Sequence, residues 1–192
     1  MTSKPLDGFR VGLGGIEFIG EGLQRPECIL TERDGTLWSA DARGGVMRIA
    51  PDGSQQLVTS SAAANFSDPD GEETRYTRST LPNCLAFADI GDFLIANYDT
   101  DLLKRMTRDG DTHTLHDTID GVAMGKVNFV LRDSKNRLWL TISTRDENWM
   151  RSITPDVDDG YVALADDKCI RIVADGFTFT NEVRLDAKEE FL

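Results

Sequence analysis

The chain has little of several residue types that usually announce a function. Only three of its 192 residues are cysteine (Cys28, Cys84, Cys169), two are histidine and six are proline. Three cysteines without metal-ligand spacing exclude a disulfide scaffold and a zinc ribbon, and read as reduced, small apolar residues. No apolar run reaches the roughly 20 residues that a membrane helix needs. The N-terminus, MTSKPLDGFRVGLGG, has neither the apolar core nor the small-residue cleavage site of a secretory leader. Basic residues are short as well: 21 Lys and Arg against 33 Asp and Glu leave a net charge of −12. Such a surface repels nucleic acid and anionic membrane, so neither is an expected partner, and it attracts divalent cations. These absences together make the cytoplasm the expected location.

Helical periodicity is missing too. What is present is a series of short apolar runs of strand composition, punctuated by Asp-Gly and Gly-Asp pairs at 34–35, 52–53, 91–92 and 109–110. That pattern belongs to an all-β chain of short strands at regular spacing. Four stretches align: PECILTERDGTLW, PNCLAFADIGDFL, VNFVLRDSKNRLW and TNEVRLDAKEEFL. The second residue of each is a polar anchor, Glu27, Asn83, Asn128 or Asn181. Eleven places later stands an apolar residue, Trp38, Leu94, Trp139 or Leu192, preceded by Leu37, Phe93, Leu138 or Phe191. The anchors are 56, 45 and 53 residues apart, in the range of propeller blades. GGVMRIAPDG, TDLLKRMTRDG and DGYVALADDK then read as third strands, and QQLVTSS, HTLHDTI and CIRIVADG as fourth strands. Four strands per unit predicts a β-propeller, here about three and a half blades, with residues 1–192 a single domain left incomplete at the C-terminus. On this reading Phe191 and Leu192 open the second strand of blade four, and Trp38, Trp139, Leu37 and Leu138 are core positions between sheets.

In a propeller the first strand of each blade lines the central channel, so the four anchors are expected to converge on one mouth. A carboxylate and several carboxamides around one point are hard oxygen ligands of the kind calcium prefers. A lone Asn at a strand entrance more often caps a turn; three or four on the inner strands of one ring point to a site.

The same segments resemble the gluconolactonase and regucalcin (senescence marker protein) family of six-bladed propellers. RPECILTERDGTLWSADARGG is similar to that family's first blade, whose Glu binds the metal, which implies Glu27 as a ligand. GKVNFVLRDSKNRLWLTIS resembles the blade with an Asn before a D-x-x-G-R turn, which implies Asn128, and ADGFTFTNEVRLDAKEEFL resembles the P-N-G segment whose Asn binds the metal, which implies Asn181. Lys126 stands where the resemblance places a basic residue that contacts substrate; a solvated surface lysine is the plain alternative. Asn83 and Asn128 complete the substrate-binding set. The resemblance implies a hydrolase of small lactones or sugar-acid derivatives that needs a divalent metal, calcium first, with zinc or magnesium as alternatives. The metal would polarise the carbonyl and bind the attacking water. Glu182 replaces the family's Gly after the anchor Asn, and Phe129 stands where the family often has Asp. The Asp that acts as base in the family would fall near position 230 by the period of about 50 residues; it lies beyond Leu192, which leaves no catalytic residue in this chain and an inactive fragment as the expectation. The alternative is a non-enzymatic module that binds calcium or a protein at the propeller mouth. Open sheet edges carry an expectation of self-association.

Other signals carry less. VGLGGIEFIGEG (Val11 to Gly22) is glycine-rich without the strand–helix context of a dinucleotide fingerprint, and is expected to form turns in an N-terminal strand pair. Asp68 to Glu73 has calcium-loop composition without its spacing. Asn65-Phe66-Ser67 is a glycosylation sequon with no secretory context. His113 and His116 fall on an outer strand, away from the channel.

Overall fold

The computed structural model describes residues 8–60 and 81–192. The Asp68–Glu73 segment and the sequon at Asn65 lie outside the described residues. Three antiparallel four-stranded sheets follow one another along the chain, each in simple sequential order. The first is β1 (Ile29–Thr31), β2 (Leu37–Asp41), β3 (Gly45–Ile49) and β4 (Gln55–Thr59). The second is β5 (Pro82–Phe87), β6 (Phe93–Asn97), β7 (Leu102–Met106) and β8 (Thr112–His116). A two-stranded ribbon, β9 (Thr118–Ile119) and β10 (Val122–Ala123), leads to the third: β11 (Val127–Arg132), β12 (Leu138–Ile142), β13 (Gly160–Ala165) and β14 (Ile170–Phe177). Every predicted third and fourth strand forms where its composition placed it. The expected strand pair over Val11 to Gly22 does not: those residues hold a 3-10 turn, Leu13–Gly15, and no strand precedes Ile29 among the described residues.

The repeat is reproduced in the register. Leu30 pairs with Trp38, Ala86 with Leu94 and Leu131 with Trp139, each three and eleven residues after its anchor. The hairpin turn that follows is also shared. The N–H groups of Gly35, Gly91, Asn136 and Glu189 donate to the carbonyls of Glu32, Ala88, Asp133 and Asp186, three residues earlier. All four donors have positive φ, from 56° to 92°, which suits Gly and Asn and strains Glu189. The fourth unit therefore has its turn, but Phe191 and Leu192 belong to no strand and residues 178–192 form none.

The inner strands β5 and β11 are mostly buried between neighbouring sheets, whereas in β1 both Ile29 and Thr31 are exposed; at the outside β4 and β14 are largely exposed and β8 is partly so. Between the first two sheets Trp38 packs on Phe93, ring centroids 4.8 Å apart, and the Arg108 guanidinium lies 4.6 Å over each ring while pairing with Glu32 at 2.6 Å. Between the second and third sheets the core gathers Leu94, Leu103, Val127, Phe129, Leu140 and Tyr161. Trp139 departs from the expectation of full burial: it is half-buried, its indole N–H held by Asp133 at 3.1 Å. The cover that Trp38 receives from Phe93 and Arg108 of the next sheet has no counterpart there among the described residues. Leu37 and Leu138 are half-buried as well.

Candidate functional site at the channel mouth

Asn83 and Asn128 each occupy the extra position of a β-bulge. Pro82 pairs with Asn97 and Cys84 with Ala96, which leaves Asn83 without an opposite number; Val127 pairs with Ile142 and Phe129 with Thr141, which does the same for Asn128. A bulge twists the strand and re-aims the side chain of the extra residue. In the first sheet the flanking registers are equivalent, with the Ala40 N–H donating to the Glu27 carbonyl at 3.2 Å and Ile29 opposite Ser39, but the displaced residue is Cys28, at φ 57°. Glu27 thus sits one step before the kink rather than on it.

The two bulged asparagines meet. The Asn83 amide donates to the Asn128 side-chain oxygen at 3.1 Å and to its backbone carbonyl at 3.0 Å. The Asn128 amide donates to Ser143 Oγ at 2.9 Å, and the Ser143 hydroxyl donates to the Thr180 carbonyl at 2.7 Å. Thr141 Oγ1 donates in turn to the Asn181 carbonyl. Asn181 is therefore tied to the third sheet through its backbone, and its side chain is exposed. Asn83 Oδ1 is buried and has no hydrogen-bond donor.

Beside this pair the Lys126 ammonium lies 2.9 Å from Asp101, with only 8% of its side chain exposed. The plain alternative of a solvated surface lysine does not hold. Asp101, at φ 58°, belongs to the β6–β7 connection, whose neighbouring groups also face inward. Burial lifts the Asp99 carboxyl to about 6, with Asp101 pushing the same way against the pull of Lys126 and Lys104. Burial likewise lowers the affinity of Lys104 for its proton. Tyr98 is pushed up to about 12 by burial; Ser143 and Arg25 oppose the rise, and its hydroxyl makes no hydrogen bond of normal geometry. Tyr98 meets Trp149 edge-on at 5.6 Å, and Trp149 stacks obliquely on Phe179 at 6.1 Å, forming an aromatic wall. Glu27 faces Arg25, whose guanidinium is 3.7 Å away. Glu182 turns to Arg184 at 2.9 Å, and Arg184 covers Phe129 at 4.5 Å. Phe129 itself points into the core, since it follows the bulge and lies on the opposite face from Asn128.

The sequence reading missed Tyr98, Asp99, Asp101, Ser143 and Trp149. They sit on connections between second and third strands, at the same end as the anchors. One signal was available for Ser143 and Trp149: the third repeat spends residues 143–159 between strands that the first joins over 42–44, and long loops in a tight repeat tend to carry function. The donor set suits a hard cation in part. The unpartnered Asn83 oxygen, the Asn128 oxygen and Glu27 supply oxygens of the right chemistry. Among the described residues, however, no three His, Cys, Asp or Glu side chains come together, so a cation would rest mainly on carboxamides.

A solved gluconolactonase from Xanthomonas campestris superposes with a TM-score of 0.59 at 15% identity, over 80% of this chain and 48% of its own. A second protein, provisionally named a gluconolactonase, gives 0.58 at 12% identity, over 81% and 50%. A virginiamycin B lyase from Staphylococcus aureus, solved with quinupristin, gives 0.52 at 16%, over 82% and 43%. The fold is a β-propeller. At such identities the propeller architecture is what is shared, and the chain spans about half the length of these neighbours. The family model described as strictosidine synthase-like, N-terminal, matches residues 12–49, which covers part of the first blade of this propeller. No curated protein matches the chain.

Proposed function

We propose that this propeller chain forms part of a lactonase-like hydrolase acting on small lactones or sugar-acid derivatives, with a divalent cation, calcium first, at the channel mouth. The observation that carries the reading is the contact between Asn83 and Asn128 at matching bulges, beside the buried Lys126–Asp101 pair. The gluconolactonase neighbours favour a lactone over other small esters. Glu27, Asn128 and Asn181 would hold the cation, with Asn83 Oδ1 as a further oxygen. A bound cation polarises a carbonyl and lowers the pKa of its water. The chain's own groups do the rest. Lys126, held in place by Asp101, presents N–H donors to a ring or carbonyl oxygen. The Asn83–Asn128–Ser143 chain fixes the carboxamides without rotamer freedom, and the Tyr98–Trp149–Phe179 wall excludes water from one side. Glu182 would add a second carboxylate only by releasing Arg184.

The test is hydrolysis of glucono-1,5-lactone, followed by acid release, with calcium and with chelator, in a full-length propeller that carries these residues as one part and in its Asn128→Ala and Lys126→Met variants. Metal-dependent turnover lost in both variants is expected. Turnover indifferent to chelator and to Asn128→Ala would refute the assignment, whereas tight calcium binding without turnover would favour the non-enzymatic alternative.

A further inference from the structure

Two thiols meet beneath the channel mouth. Cys28 is the displaced residue of the first blade's bulge, and Cys84 immediately follows the bulged Asn83 of the second. Their sulfurs lie 3.4 Å apart, with the Cys84 thiol directed at Cys28 Sγ, and neither is in a disulfide. Cys84 is 1% exposed, while Cys28 is partly accessible. The two stand 56 residues apart in sequence, each one residue after its blade's anchor, at the inner edges of neighbouring blades. A sulfur pair already in van der Waals contact needs only side-chain rotation and a small strand shift to reach bonding geometry.

We infer that Cys28 and Cys84 form an oxidation site that closes to an intramolecular disulfide in the presence of a peroxide. The Cys28 sulfur attacks one peroxide oxygen, giving a sulfenic acid and releasing one water. The Cys84 sulfur then attacks the sulfenic sulfur, forms the S–S bond and expels the hydroxyl, which leaves as a second water with the Cys84 proton. Two thiols lose two electrons and the peroxide gains them. Cys28 is the site of first attack because it alone of the pair is reachable; Cys84 is the resolving thiol because its other neighbours, the carbonyls of Leu85 and Val130, cannot react. The bond would join the residue after Glu27 to the residue after Asn83, and so fix the spacing of the first two anchors. Cys169 is exposed in the β13–β14 turn and takes no part.

The experiment treats the protein with hydrogen peroxide under native conditions, blocks free thiols with an alkylating agent and maps peptides by mass spectrometry before and after reduction. The expected result is a Cys28–Cys84 linked peptide, an intact mass lower by two hydrogens, and full reversal by a thiol reductant. Cys28→Ser should leave Cys84 unmodified, and Cys84→Ser should trap Cys28 as a sulfenic acid that dimedone captures. If either variant misfolds, the wild-type peptide map still decides. Cys28 driven to sulfinic acid with Cys84 recovered as a free thiol would overturn the inference, as would a disulfide that pairs either residue with Cys169.

Discussion

Replacing Asp99 with Asn should stabilise the protein at neutral pH and leave it unchanged in acid. Asp99 lies half-buried in the β6–β7 connection, and burial raises its carboxyl from 3.8 to about 6 despite the nearby Lys126 and Lys104. A carboxyl with a raised folded pKa keeps a proton that the unfolded chain releases. Its ionisation therefore removes stability as pH rises between those two values, and the deficit persists above them. A shift of this size corresponds to about 3 kcal/mol at 1.36 per unit, and partial contact with water reduces the usable figure to about 1–2 kcal/mol. For a domain of this length that is roughly 3–6 °C in Tm. Thermal melts of Asp99→Asn and the parent at about pH 7.5 should differ by this amount, and at about pH 3.5 they should coincide. A variant that melts lower at neutral pH would mean that attraction to Lys126 and Lys104 outweighs burial. An equal gain at both pH values would mean that the effect is not electrostatic.

Trp38→Ala should cost about 3–5 kcal/mol in urea denaturation, the usual loss for a buried aromatic, whereas Trp139→Ala, at the same register position but half-covered, should cost about half as much. Equal losses would show that the third sheet's face is covered after all. Gly125→Ala should shift the urea midpoint well below that of Gly121→Ala: both have positive φ, but a Cβ on Gly125 would lie 2.5 Å from the Thr144 carbonyl, while Gly121 has open space. Asn128→Ala should cost about 1–3 kcal/mol by removing the side-chain acceptor of the Asn83 amide and the donor to Ser143, although Asn83 keeps its bond to the backbone carbonyl of residue 128. A double-mutant cycle with Asn83→Ala should then be strongly non-additive; additivity would mean the two side chains do not act together.

The elements most legible in the sequence are those set by short-range chemistry. The turn at 32–35, 88–91, 133–136 and 186–189 recurs because Gly or Asn supplies its positive φ in three of the four copies, and the Asp133 carboxylate accepts the N–H groups of Lys135 and Arg137. The register Leu30 to Trp38 follows from that turn and recurs with it. Trp38 Nε1 finds Glu32 and Trp139 Nε1 finds Asp133, six residues back in each case, so even these side-chain bonds are local. The propeller architecture could be read because it is a sum of such hairpins.

What the sequence did not contain is how one blade meets the next. Whether a bulge falls on the anchor, as at Asn83 and Asn128, or one residue later, as at Cys28, depends on the twist needed to bring inner strands together around an axis. The same rotation sets Asn83 against Asn128, Lys126 against Asp101 and Cys28 against Cys84, pairs drawn from different blades 25 to 56 residues apart. It also moves Asn181 to a position where its backbone, not its side chain, is held. Local offsets fix what each blade presents at its entrance. Only the packing angle between sheets, set by bulky residues such as Trp38, Phe93 and Phe129 filling the wedge between them, decides which of those groups touch.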